Sequence, residues 1–113
     1  MDKTALTGRY EFEFCDGTKC EMSLAFILLK KLSSKNRELY KRYQSVMTKG
    51  PEDEFDMLAV LYAAYVCANM GEETILTEDE FIEKCGSDRF AIKEAMEAMT
   101  NPKKRKASED RSN

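Results

Sequence analysis

From Met57 to Ala68 the chain runs almost unbroken through apolar side chains, Met-Leu-Ala-Val-Leu-Tyr-Ala-Ala-Tyr-Val-Cys-Ala. Three acids, Glu52, Asp53 and Glu54, stand just before it, where a helix N-terminus favours negative charge, and Gly71 just after, where a helix can stop. The segment therefore predicts a helix from about Glu52 to Met70. Phe55, Leu58, Leu61, Tyr62, Tyr65 and Val66 are joined by Met57, Val60, Ala63, Ala64 and Ala68, so nearly its whole circumference is apolar. A helix of that kind is buried all round. The run is shorter than the roughly 20 residues that cross a bilayer, so the rest of the fold is expected to be wrapped around it.

Upstream, Arg9-Tyr10-Glu11-Phe12-Glu13-Phe14 alternates charged with apolar side chains, the period of a strand with one face on a core. Asp16-Gly17 supplies a turn. A two-residue loop would set Phe14 opposite Lys19 and split the apolar face. A loop of Cys15, Asp16 and Gly17, with Gly17 left-handed, instead pairs Phe14 with Thr18, Phe12 with Cys20 and Tyr10 with Met22, which keeps the face whole. It also holds Cys15 in the loop, away from Cys20.

Ser23 reads as an N-cap for a short, deeply buried helix, Leu24 to Leu32, with Lys30 and Lys31 at its C-terminal end. A break at Ser33-Ser34 leads to a helix from about Lys35 to Met47, with Leu39, Tyr43, Val46 and Met47 inward and Arg37 and Lys41 outward. Thr77-Glu78-Asp79-Glu80 has the spacing of a capping box and opens a helix, Glu78 to Lys84, that Gly86 stops. A last helix, Asp88 to Thr100, is expected to pack Phe90, Ile92, Ala95, Met96 and Met99. The fold class is thus α+β and mostly helical: an N-terminal β-hairpin packed on four to five helices. Residues 1–8 are expected to be a flexible N-terminus, 9–101 one folded domain, and 102–113 a disordered basic and polar tail.

The composition narrows the function. Lysine-rich Lys103 to Lys106 suggests a nuclear or nucleic-acid address, and Tyr40 and Tyr43 lie among Arg37, Lys41 and Arg42. Against that reading, the net charge is −3 and the sequence pI about 5.1. Charge is segregated: Lys30 to Lys49 holds seven bases and one acid, Glu52 to Asp88 eleven acids and one base. Such a chain repels a polyanion over much of its surface, so nucleic acid is not the expected partner. Head-to-tail attraction between copies is the alternative use of that polarity.

Histidine is absent, the four cysteines lack the spacing of a metal site, and no phosphate loop or nucleophile elbow is present. The acids sit in helix first turns, where capping explains them. No enzymatic activity, cofactor or metal is expected. The N-terminus lacks the apolar stretch of a signal peptide, which leads to the expectation of a cytoplasmic protein with reduced cysteines.

Taken together, Tyr10 to Phe14, Leu24 to Leu32, Tyr40-Lys41-Arg42-Tyr43 and Asp56 to Tyr65 resemble the tail assembly chaperones of long-tailed bacteriophages and prophages of Gram-positive bacteria, over about Arg9 to Arg105. The resemblance implies a non-enzymatic, self-associating protein of the bacterial cytoplasm, absent from the finished virion. Its implied partners are the helical tape-measure protein, the tail-tube protein and a longer, frameshifted form of itself. Lys103 and Lys104 become the expected frameshift junction, since consecutive lysine codons can form a slippery run. The expected partner-binding residues are Lys30, Arg37, Tyr40 and Lys41, with the outer hairpin face and the exposed edge of the Lys35 to Met47 helix as covering surfaces. The alternative remains a small, basic-tailed nucleic-acid-binding protein.

Overall fold

A computed structural model describes residues 9–100. The expected flexible N-terminus (1–8) and disordered tail (102–113), with Lys103 and Lys104, lie outside the described residues. Strands β1 (Arg9–Glu13) and β2 (Lys19–Ser23) are followed by α1 (Phe26–Lys35), α2 (Arg37–Lys49), α3 (Glu54–Ala68), α4 (Glu78–Cys85) and α5 (Arg89–Thr100). The α+β, mostly helical class is what the sequence predicts.

The hairpin has the predicted register. Tyr10 pairs with Met22 and Phe12 with Cys20, Phe14 N–H donates to the Thr18 carbonyl at 2.8 Å, and Gly17 turns with φ of +89°. Phe12, Phe14 and Met22 are buried. On the other face Glu11 stands opposite Glu21, a like-charge pair that Arg9 relieves by bonding Glu21 at 2.7 Å.

Helix α3 is the centre, packed by β2, α1, α2, α4 and α5. Its residues Ala59, Val60, Leu61, Ala63, Ala64, Tyr65, Val66 and Cys67 are all buried. It is shorter than predicted. Asp53 is its N-cap, accepting from Asp56 N–H, and Asn69 stops it two residues before Gly71, its carboxamide donating to the carbonyls of Tyr65 at 2.7 Å and Glu21 at 3.0 Å. Two tyrosines of α3 hold the loop that follows: Tyr62 Oη donates to the Leu76 carbonyl and Leu76 N–H donates to Tyr65 Oη, both at 2.8 Å. Buried tyrosines need such partners, and here they fix the approach to α4.

The capping box at α4 is complete. Thr77 Oγ1 accepts from Glu80 N–H at 3.2 Å, and the Glu80 carboxylate accepts from Thr77 N–H at 2.9 Å. Replacing Thr77 by alanine is expected to cost about 1 kcal/mol, read as a lower urea midpoint at unchanged slope.

Four expectations need correction. Helix α1 begins at Phe26 and is not deeply buried: only Leu29 and Leu32 are buried, while Phe26 is 89% exposed and Ile27 61%. Each stands one helical turn before a lysine, Lys30 and Lys31, so solvating the ammonium groups turns both apolar side chains outward. Ser23 does not cap this helix. Its Oγ accepts from Ala25 N–H at 3.2 Å, closing a turn ahead of it.

Secondly, Ser33 and Ser34 do not break the helix, because Ser33 Oγ bonds back to the Lys30 carbonyl at 2.7 Å. Asn36 makes the break. Its N–H donates to the Leu32 carbonyl at 2.8 Å, and its side chain accepts from Leu39 N–H at 3.2 Å, so one residue closes α1 and opens α2. Thirdly, Met47 is exposed at the end of α2, beyond the reach of the Leu39–Tyr43–Val46 stripe. Fourthly, Phe55 and Phe90 are exposed, Phe90 to 76%. Two helical residues turn the side chain by about 200°, so Phe90 cannot share the stripe of Ile92, Ala95 and Met99.

Candidate partner-binding surfaces

Of the residues expected to bind a partner, Lys30 lies on the outer side of α1, and Arg37 and Lys41 on the outer side of α2, all exposed. Tyr40 is half-buried and packs against the core beside Tyr43, ring centres 6.1 Å apart. The structure does not gather the four into one cavity. Lys30 instead joins Ile27, Lys31, Ser34 and Lys35 around a shallow depression of about 330 Å³ on α1. The helical spacing from Phe26 makes this a continuous outer stripe, two apolar residues followed by three lysines. Sequence reasoning assigned Phe26 and Ile27 to the core; the signal that could have placed them outside is their spacing of four from Lys30 and Lys31.

The outer hairpin face, expected as a covering surface, presents Glu11, Glu13, Lys19 and Glu21, all exposed. The uncovered large apolar side chains among the described residues are on helices: Phe26, Ile27, Met47, Phe55 and Phe90.

The two charged regions of the chain touch within the fold. Arg42 of the basic segment binds both carboxylate oxygens of Glu78 at 2.7 and 2.9 Å. Glu54, at the start of α3, is paired with Arg89, at the start of α5, whose guanidinium holds the Glu54 carboxyl below its ordinary value. Among the described residues Lys30, Lys31 and Lys35 have no ion-pair partner.

A second cleft, of about 310 Å³, opens between the hairpin and the 69–76 loop, lined in part by Phe14, Lys19, Cys20, Tyr65 and Lys84. Lys84 Nζ sits 5.1 Å from the centre of the Phe14 ring and bonds Asp16 at 2.9 Å. The Thr18 hydroxyl and N–H, and then Lys84, hold the Asp16 carboxyl far below the usual carboxylate range.

Cys15 sits over the end of α4. Its N–H donates to the Lys84 carbonyl and its thiol to the Cys85 carbonyl, each at 3.0 Å. Burial pushes the thiols of Cys20, Cys67 and Cys85 up to about 12. Among the described residues no group of His, Cys, Asp or Glu is arranged to hold a metal ion.

The raised thiols carry a pH signature. A group whose folded pKa is raised stabilises fully below its unfolded pKa, about 8.5 for a thiol, and that contribution is lost as pH climbs toward the folded value. The urea midpoint is therefore expected to fall as pH rises above about 8.5, and Cys67→Ala should flatten the fall. An unchanged slope in that variant would remove Cys67 from the account.

No helix among the described residues is long and apolar enough to cross a membrane. Comparison with protein-family models, curated proteins and solved structures finds no match to this chain.

Proposed function

We propose that this chain is a non-enzymatic tail assembly chaperone that covers the apolar stripes of a phage tape-measure protein in the bacterial cytoplasm and is left out of the finished virion. The observation that carries the reading is the exposure of Phe26, Ile27, Phe55 and Phe90 on the helices of a small fold with a well-filled core. Side chains of that size left in water suit a protein whose partner supplies the missing cover. The resemblance of the hairpin and of α1 to α3 to the chaperone family supplies the client, and adds the tail-tube protein and a frameshifted longer form as further partners.

Co-expression with a tape-measure fragment tests the reading: the fragment should move into the supernatant and its light scattering fall. A fragment that stays aggregated overturns it. Self-association is part of the proposal, driven by the cations of α2 that are unpaired among the described residues, Arg37, Lys41 and Lys49, against the acids of Glu52 to Asp88. The assembly should shrink in sedimentation at ~1 M salt, where screening reaches about 3 Å. An unchanged assembly would assign the contact to apolar surface.

The basic faces of α1 and α2 favour the alternative, nucleic-acid binding. Tyr40 and Tyr43 speak against it, since their half-buried rings pack on the core instead of offering faces to bases. Retention on heparin at physiological salt would favour that alternative.

A further inference from the structure

We infer that the outer stripe of α1 is a docking surface for a partner helix whose apolar stripe is flanked by carboxylates. The inference rests on the proposed chaperone reading and names the surface and chemistry of its client contact. Phe26, Ile27, Lys30, Lys31, Ser34 and Lys35 recur at one-turn steps along a ten-residue helix, about 15 Å of continuous contact line. Its inner side is occupied by Leu29 and Leu32, so the core gains nothing from the outer one.

Charge selects the occupant. Helix α1 contains no acid, and its three lysines, like Lys19, Arg37, Lys41, Lys49 and Lys93, have no ion-pair partner among the described residues; what sets them apart is that they follow the exposed pair Phe26 and Ile27 on one helix. Apolar and cationic contacts succeed one another along the helix axis instead of lying on opposite sides of it. A helix laid along α1 matches that order: apolar side chains against Phe26 and Ile27, then carboxylates one and two turns further on. An anionic bilayer would engage the lysines but leave the apolar pair as a foothold at one end only.

Two synthetic helical peptides of roughly 20 residues, alike in a leucine stripe and differing in flanking Glu or Lys, test the inference by fluorescence anisotropy with the full chain. The Glu peptide should bind at least about tenfold more tightly. Lys30→Glu with Lys31→Glu should reverse that preference, and Phe26→Ser with Ile27→Ser should weaken both peptides. All four positions are exposed, so circular dichroism should be unchanged. Equal affinity for the two peptides, or indifference to both double variants, overturns the inference. A dimer of the chain that the Lys→Glu pair dissociates without peptide would give the surface to a second copy. Co-pelleting with phosphatidylglycerol vesicles, lost in the same pair, would give it to a membrane. Either result also overturns it. If the quadruple variant still solubilises the tape-measure fragment, docking lies elsewhere and the chaperone reading stands; if the parent chain fails to solubilise it, the reading itself falls.

Discussion

Replacing Phe81 by alanine is expected to destabilise the domain by about 3 to 5 kcal/mol, a large share of the roughly 5 to 15 kcal/mol that holds a domain together. Phe81 is fully buried, and three rings meet it: Tyr65 at 5.4 Å, Tyr62 at 5.6 Å and Phe14 edge-on at 5.7 Å. Those rings belong to α3 and to the hairpin, while Phe81 belongs to α4, so a single side chain joins three elements. Truncation leaves a cavity whose walls are themselves tethered, because the hydroxyls of Tyr62 and Tyr65 are bonded to the Leu76 backbone and cannot collapse inward without breaking those bonds. Urea unfolding would show a lower midpoint. A loss below about 1 kcal/mol would mean that the site closes freely, against the pinned geometry.

Gly86→Ala should cost about 2 to 4 kcal/mol for two separable reasons. The residue turns at φ +65° and ψ −127° at the end of α4, a backbone region that side chains resist. A Cβ there would also stand 2.4 Å from Cys15 Sγ and 3.3 Å from Cys15 Cβ. The two causes separate in a double-mutant cycle. In a Cys15→Ala background the sulfur is gone and only the longer contact and the backbone strain persist, so Gly86→Ala should cost less than in the parent by about 1 kcal/mol or more. Equal costs in both backgrounds would show that strain alone is at work and that the hairpin turn gives way.

The hairpin register was legible because only one pairing keeps Phe12, Phe14, Cys20 and Met22 on a single face. The central place of α3 was legible because a helix apolar all round has no other place to go, and the box at α4 because Thr77 and Glu80 have the spacing that two reciprocal bonds require. The exposed aromatics were partly legible: the angle between Phe90 and Ile92 excludes Phe90 from the buried stripe without any structure. Phe55 and Met47 are different. Whether a side chain at a helix end is covered depends on which neighbour passes over it, and helical periodicity is silent on that. Tyr40 fell between the two cases, since it lies one position from the buried Leu39 and is drawn toward Tyr43. Asn36 escaped notice because serines look like better breakers until Ser33 bonds back into its own helix.

Asn36 has a consequence for the outer stripe. One residue ends α1 through its N–H and begins α2 through its side chain, so the last turn of α1 cannot unwind without releasing the first turn of α2, which carries the buried Leu39. The exposed helix is thereby joined to the cooperative unit of the core. A surface that would otherwise fray stays preformed, and a partner that docks on it does not have to order it first.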